Sequence, residues 1–364
     1  MSEGTFKYTS DIFFLEDKLP FNKTRYLIGS QQKKSYISVN KNQYYILEKI
    51  YELTNAKNYT FSEIDDYLMN SLHKKINVLS LHENLSKKGL MENSVNLSAN
   101  NEIDMISTSI FDFVIDEIPP RIVKIVKALS KLSIIFKLLS VASLVVILFN
   151  IDTLLQMKGN IFLYDNSSIK GFLISMLVSI IIITIHELAH VFAAINVGLR
   201  DLQFYMVLYA KFIPMYYTTY SKLMQLKYKN KIRVLSAGLK TNIFLLLFSL
   251  ASICLIDMSQ ICFDIMVKFS VVNAYFIFLN CSPFISNDGY FILINTFGID
   301  SLRLNLWRTI ISVFKRQKVT KIKNKFVLTY MVISTAFLIG SFFSMFLWIK
   351  EVVIEIIKWV QTFI

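Results

Sequence analysis

The chain has 364 residues, of which 54% are hydrophobic and 30 are phenylalanine, and its mean hydropathy is +0.48. Those values exceed an ordinary soluble domain and fit a polytopic α-helical membrane protein with one soluble portion. The net charge of +13 clusters beside apolar runs, so the bilayer is the expected partner and no nucleic acid is expected.

Cys254, Cys262 and Cys281 lie in or beside apolar runs, and no CxxC occurs, which argues against a disulfide framework and a cysteine metal site. The opening MSEGTFKYTSD has neither a basic nor an apolar leader segment. The N-terminal domain is therefore expected without a cleavable signal, in the cytoplasm.

Residues 1–105 read as a small α+β domain. YLIGSQQKKSYISV (Tyr26 to Val39) has the pattern of a hairpin, two apolar strands around a polar turn. A helix follows with Tyr44, Ile46, Leu47, Ile50 and Leu53 on one stripe. Thr60 and Glu63 form a capping box that opens a second helix. A third, INVLSLHENLSKKGLM, stops at Lys87, Lys88 and Gly89.

Residues 106–132 read as a linker and an interfacial helix. Pro119 and Pro120 mark a boundary, and Arg121, Lys124, Lys127 and Lys131 then recur beside Ile122, Val123, Ile125 and Val126. A basic amphipathic helix of this kind lies on an anionic membrane surface.

Residues 133–364 form the membrane domain, with spans expected at about 133–152, 170–196, 236–256, 266–286 and 327–349. The C-terminal EVVIEIIKWVQTFI either extends the last span or lies in the interface with Trp348 and Trp359 as anchors, giving about five to six helices. Lys and Arg crowd the 197–235 and 287–326 segments and are few in 153–169 and 257–263. The positive-inside rule then puts the N-terminus and both basic segments in the cytoplasm.

HELAH, His186 to His190, falls inside the second span. An ionisable group costs several kcal/mol there, so it is a functional hypothesis by default. Residues four apart share a helix face, so His186 and His190 can hold one metal, with Glu187 placed to act on its water. His186 would lie about 15 Å from the cytoplasmic end. A catalytic zinc commonly takes three protein ligands. The other histidines, His73 and His82, fall in the soluble domain, which leaves a carboxylate. Asp288, after Asn280 and Pro283 at the end of the fourth span, is the good candidate. Asn242 and Asn280 can donate to a scissile carbonyl or its oxyanion. A His, His, Asp set with an open position favours zinc.

Two resemblances follow. The YISVNKNQYYILEKI, TFSEIDDYL and LHENLSKKGLM segments, over roughly residues 24–92, resemble the PqqD-like winged-helix domains that hold leader peptides during ribosomal-peptide maturation. That resemblance implies an extended peptide added to a hairpin edge. A structural or dimerising winged helix has the same pattern.

HELAH in a span, AGxxxN (Ala237, Gly238, Asn242) opening the next, and NxxPxxxxDG (Asn280, Pro283, Asp288, Gly289) resemble the site-2 protease family of intramembrane metalloproteases, over about residues 170–296. The resemblance implies a three-helix protease core with one catalytic zinc on His186, His190 and Asp288, and Glu187 as general base. It also implies that the aromatic FYMVLYAKFIPMYYTTY stretch (Phe204 to Tyr220) is a hairpin that can pair with an unwound substrate segment. Ile285 and Asn287 depart from the family pattern, which uses proline and leucine there.

The expected activity is hydrolysis of a peptide bond at or within the membrane, on a small ribosomally made peptide. Regulated cleavage of a membrane-tethered signalling protein and non-hydrolytic peptide binding for export or immunity are the alternatives.

Overall fold

Three strands precede the first helix. The computed structural model describes residues 6–299 apart from 32–34, 58, 73–75, 93, 95–106, 157–167, 210–212 and 285–286, and beyond 299 it describes scattered positions such as 328–330 and 332–336. The expected fifth span, the basic segment before it, His73, Trp348 and Trp359 fall wholly or largely outside the described residues. The chain forms two units.

The first unit comprises Met1–Glu117, Asp201–Lys231 and Asn295–Asp300. It opens with an antiparallel meander of β1 (Ile12–Lys18), β2 (Thr24–Ser30) and β3 (Ser35–Val39). β2 and β3 are the expected hairpin, and β1 adds a strand that the sequence reading did not include. Helices α1 (Lys41–Ala56), α2 (Phe61–Leu72) and α3 (Val78–Lys87) follow.

Tyr44, Leu47 and Ile50, from the expected stripe of α1, pack with Ile28, Ile64, Leu68 and Leu85 in the core. The Thr60 N–H donates to Glu63 Oε2 at 2.7 Å, as the capping box requires. At the end of α3, Gly89 takes φ 73°, while Leu90 N–H reaches the Leu85 carbonyl at 3.0 Å and Gly89 N–H reaches Ser86 at 2.9 Å. This Schellman pair satisfies carbonyls that the helix itself cannot.

The same unit holds a second antiparallel sheet in the order β4 (Ser107–Ile115), β5 (Leu202–Tyr209), β6 (Ile213–Thr219). β5 and β6 are the expected aromatic hairpin, with Tyr205 opposite Tyr217. β4 lies in the stretch read as a linker, and its Phe113 pairs with Phe204.

The second unit comprises Ile118–Arg200, Ile232–Ile294 and Ser301–Ile364. Its helices include α4 (Pro120–Ser130), α5 (Ser133–Phe149), α6 (Ile151–Gln156), α7 (Ser168–Asn196), α9 (Ala237–Leu255) and α10 (Gln260–Cys281). Two further helices cross the unit boundary along the chain: α8 (Tyr228–Leu235) and α11 (Asp288–Phe297).

Among the described residues three helices are long and apolar enough to cross a membrane: Lys170–Asn196, Ala237–Leu255 and Gln260–Cys281. α4 and α5 pass the same test only as a pair bent by 41°, which separates the basic helix from the first expected span. The outward apolar residues fit lipid: Leu138 is 64% exposed, Leu177 57% and Phe278 59%. α10 starts and ends earlier than the expected 266–286, because Pro283 cannot continue a helix and disfavours the helical backbone just before it. α9 packs against α5, α7 and α10, which places its N-terminal turns beside HELAH.

Candidate metal centre

The two histidines of HELAH meet as the helical spacing predicts. His186 and His190 are 5% and 7% exposed, and their Nε2 atoms lie 3.2 Å apart. His190 Nδ1 sits 2.8 Å from the Val234 carbonyl at the end of α8. A carbonyl can only accept, so Nδ1 carries the proton, and in the neutral ring the Nε2 lone pair is the one turned toward Asp288. The ring is thereby fixed in both tautomer and direction.

Asp288, the first residue of α11, completes the arrangement. Its Oδ2 is 3.2 Å from His186 Nε2 and 3.2 Å from His190 Nε2. The chain turns back sharply before it. A Cβ on Gly289 would collide with the Cys281 and Asn280 carbonyls at the end of α10, so only glycine permits this return. Asn287 Nδ2 donates to the Leu279 carbonyl at 3.3 Å across the same turn.

The two ring nitrogens and the carboxylate oxygen lie 3.2 Å from one another, and a cation placed among them would be attracted to all three. Donor bonds of about 2.0–2.1 Å in a tetrahedron put neighbouring donors about 3.3–3.4 Å apart. The triangle fits that geometry.

Two carboxylates compete for the third position. His186, Glu187 and His190 offer donor atoms within 4.8 Å of one another and could hold a metal among themselves. Asp288 makes the tighter and more symmetrical set, which leaves Glu187 the neighbour of the site. Among the described residues His82 is no competitor. Its ring lies against Phe6 and Phe61, with centroids 5.5 and 5.1 Å away, as a packing group.

α9 closes the other side of the centre. A Cβ on Gly238 would run into His186 Nε2 and His190 Nε2, so the bare backbone here is a condition for the cluster. One helical turn on, Asn242 is fully buried, and neither side-chain atom has a hydrogen-bond partner among the described residues. Its backbone carbonyl accepts from Asn273 Nδ2 at 2.8 Å. A buried amide left unpaired costs about 1–3 kcal/mol, so Asn242 is held in readiness for something. Asn280 is half-buried near the end of α10, with its carbonyl against Gly289. The structure thus brings His186, His190, Asp288 and Glu187 together and gives Asn242 a buried place nearby, while the Asn280 side chain makes no hydrogen bond among the described residues.

Sequence reasoning missed Val234. It acts through a backbone carbonyl, which no side-chain pattern marks. The role of Gly238 was also unread, although the residue stands in the AGxxxN stretch. Compared with protein-family models, curated proteins and solved structures, the chain gives no match.

Proposed function

We propose that the chain is an intramembrane zinc metallopeptidase that cleaves a small ribosomally made peptide, with His186, His190 and Asp288 as metal ligands. The observation that carries this reading is the 3.2 Å triangle of His186 Nε2, His190 Nε2 and Asp288 Oδ2 on a helix apolar enough to span a bilayer. Zinc bound there supplies a Lewis acid that lowers the pKa of water toward about 7 and polarises a carbonyl.

The chain's own residues do the rest. Val234 holds the His190 ring by its Nδ1–H, and Glu187 takes a proton from the attacking water and hands it to the leaving amine. Asn242 Nδ2, buried and without a partner among the described residues, donates to the carbonyl oxygen as charge develops on it. The low-dielectric helices around the site strengthen each of these interactions.

The substrate class is read from the first unit. Three antiparallel strands followed by three helices agree with a PqqD-like domain, and β3 is an edge strand of its sheet. An extended peptide can add there through main-chain hydrogen bonds. The β5–β6 hairpin offers a second edge, β6, for an unwound substrate segment. Positive-inside charge puts the N-terminal domain and the peptide's entry on the cytoplasmic side of the cell membrane.

The test is metal stoichiometry on the purified chain. Wild type and Glu187→Gln are expected to carry one zinc each, and Asp288→Ala is expected to lose it. A wild-type chain that takes up no zinc after supplementation, or an Asp288→Ala chain that keeps it, contradicts the ligand set.

A further inference from the structure

We infer that the β1–β2 hairpin of the N-terminal domain positions the metal centre through α8 and α11; this rests on the metal reading above. Asp17 and Arg25 stand opposite each other in the β1–β2 register, and both are buried, at 2% and 5% exposed. Asp17 Oδ1 accepts from the backbone N–H of Tyr228, the first residue of α8, at 2.7 Å. Its Oδ2 lies 3.7 Å from Lys231 Nζ, about one turn further along α8.

Arg25 donates through Nη1 to Asn295 Oδ1 at 3.4 Å, in the last turn of α11. At the hairpin turn the Phe21 ring stacks on Phe297, with centroids 5.9 Å apart. Phe21 and Asn22 hold φ of 61° and 55°. A bulky residue stays in that left-handed region only where its surroundings hold it. Tyr228 Oη and Thr296 Oγ1, 3.3 Å apart, tie the two anchored helix ends to each other.

The far ends of the same helices carry the chemistry. α8 ends in the turn whose Val234 carbonyl holds His190, and α11 begins with Asp288. These helices have eight and ten residues, or about 12 and 15 Å, and neither contains proline. A displacement at one end is therefore passed to the other. A buried ion pair such as Asp17–Lys231 adds little net stability over an apolar pair; its best-attested use is to fix register. Here it fixes the register of the helix that aims a metal-binding imidazole.

The test uses the full chain in detergent, stripped of metal and titrated with Co²⁺ and with Zn²⁺ against a chelator of known affinity. Wild type is expected to give the visible bands of four-coordinate cobalt. Asp17→Ala is expected to shift those bands and weaken zinc binding about tenfold. Asp17→Asn, which keeps an oxygen for the Tyr228 N–H, is expected to recover most of that loss.

Ile64→Ala removes a fully buried side chain from the core of the same domain. It is expected to lower the domain's melting temperature and leave the cobalt spectrum as in wild type. Should Asp17→Ala not fold, Arg25→Met, which releases Asn295 on α11, is read in the same way.

Unchanged spectra and affinity in the hairpin variants overturn the inference. Equal changes in Asp17→Ala and Ile64→Ala also overturn it, since domain stability alone would then be the cause. A wild-type chain that binds neither ion overturns the metal reading and takes this inference with it.

Discussion

The N-terminal domain and the candidate metal centre use the same residue types under opposite conditions. Asn40 caps α1 at the surface, accepting from Gln43 N–H at 2.9 Å while Gln43 Oε1 accepts in return at 3.1 Å. Asn242 sits fully buried in α9, and among the described residues neither of its side-chain polar atoms has a partner. His82 packs its ring on phenylalanines, whereas His186 and His190 turn their Nε2 atoms toward the Asp288 carboxylate. Water can replace a lost partner in the first setting and not in the second. Exposed polar groups such as Asn40 therefore tune stability alone, whereas a buried amide such as Asn242 is a candidate for function.

The largest effect short of removing a ligand is expected from Gly238→Ala. Its Cβ would occupy the space against both Nε2 atoms, so the purified variant should fold and carry no stoichiometric zinc. Retention of a full complement would mean that the cluster is looser than the structure has it. Asn242→Ala is next. It should retain zinc and lower kcat about a hundredfold with KM little changed, the signature of a contact made in the transition state. A rise in KM alone would return Asn242 to a packing role between helices.

The smallest effect belongs to the other region. Asn40→Ala should lower the stability of the N-terminal domain by about 1 kcal/mol, read by thermal unfolding, with zinc affinity unchanged. A change in zinc affinity there would blur the contrast between the two regions.

The helices of the domain and the histidine pair were legible in the sequence for local reasons. α1 shows its stripe at Tyr44, Leu47 and Ile50, α2 its Thr60–Glu63 box and α3 its Gly89 stop, all within a few residues of the effect they produce. HELAH was legible because two imidazoles and a carboxylate stand in an apolar run where idle charge is expensive. β4 was not legible, because Ser107–Ile115 becomes a strand only against β5, whose first residue is Leu202. β1 was missed for a related reason, since IFFLEDK does not alternate cleanly and its strand character comes from pairing with β2.

The support around the site was the least legible. Val234 contributes a carbonyl, and Asp17, Arg25, Lys231 and Asn295 read as ordinary surface polar residues until the fold buries them. Charge type and spacing mark a metal ligand; what aims the ligand is written in tertiary contacts.

The central claim is peptide hydrolysis dependent on Glu187, and peptide mass spectrometry tests it most directly. Membrane and medium fractions of cells expressing wild type are compared with those of cells expressing Glu187→Gln, a variant expected to keep its zinc. A short peptide trimmed only when Glu187 is present is the predicted result, and it names the substrate together with the activity. Identical peptide profiles, with the variant still supporting the cell's phenotype, would contradict hydrolysis and leave a metal-dependent peptide-binding protein.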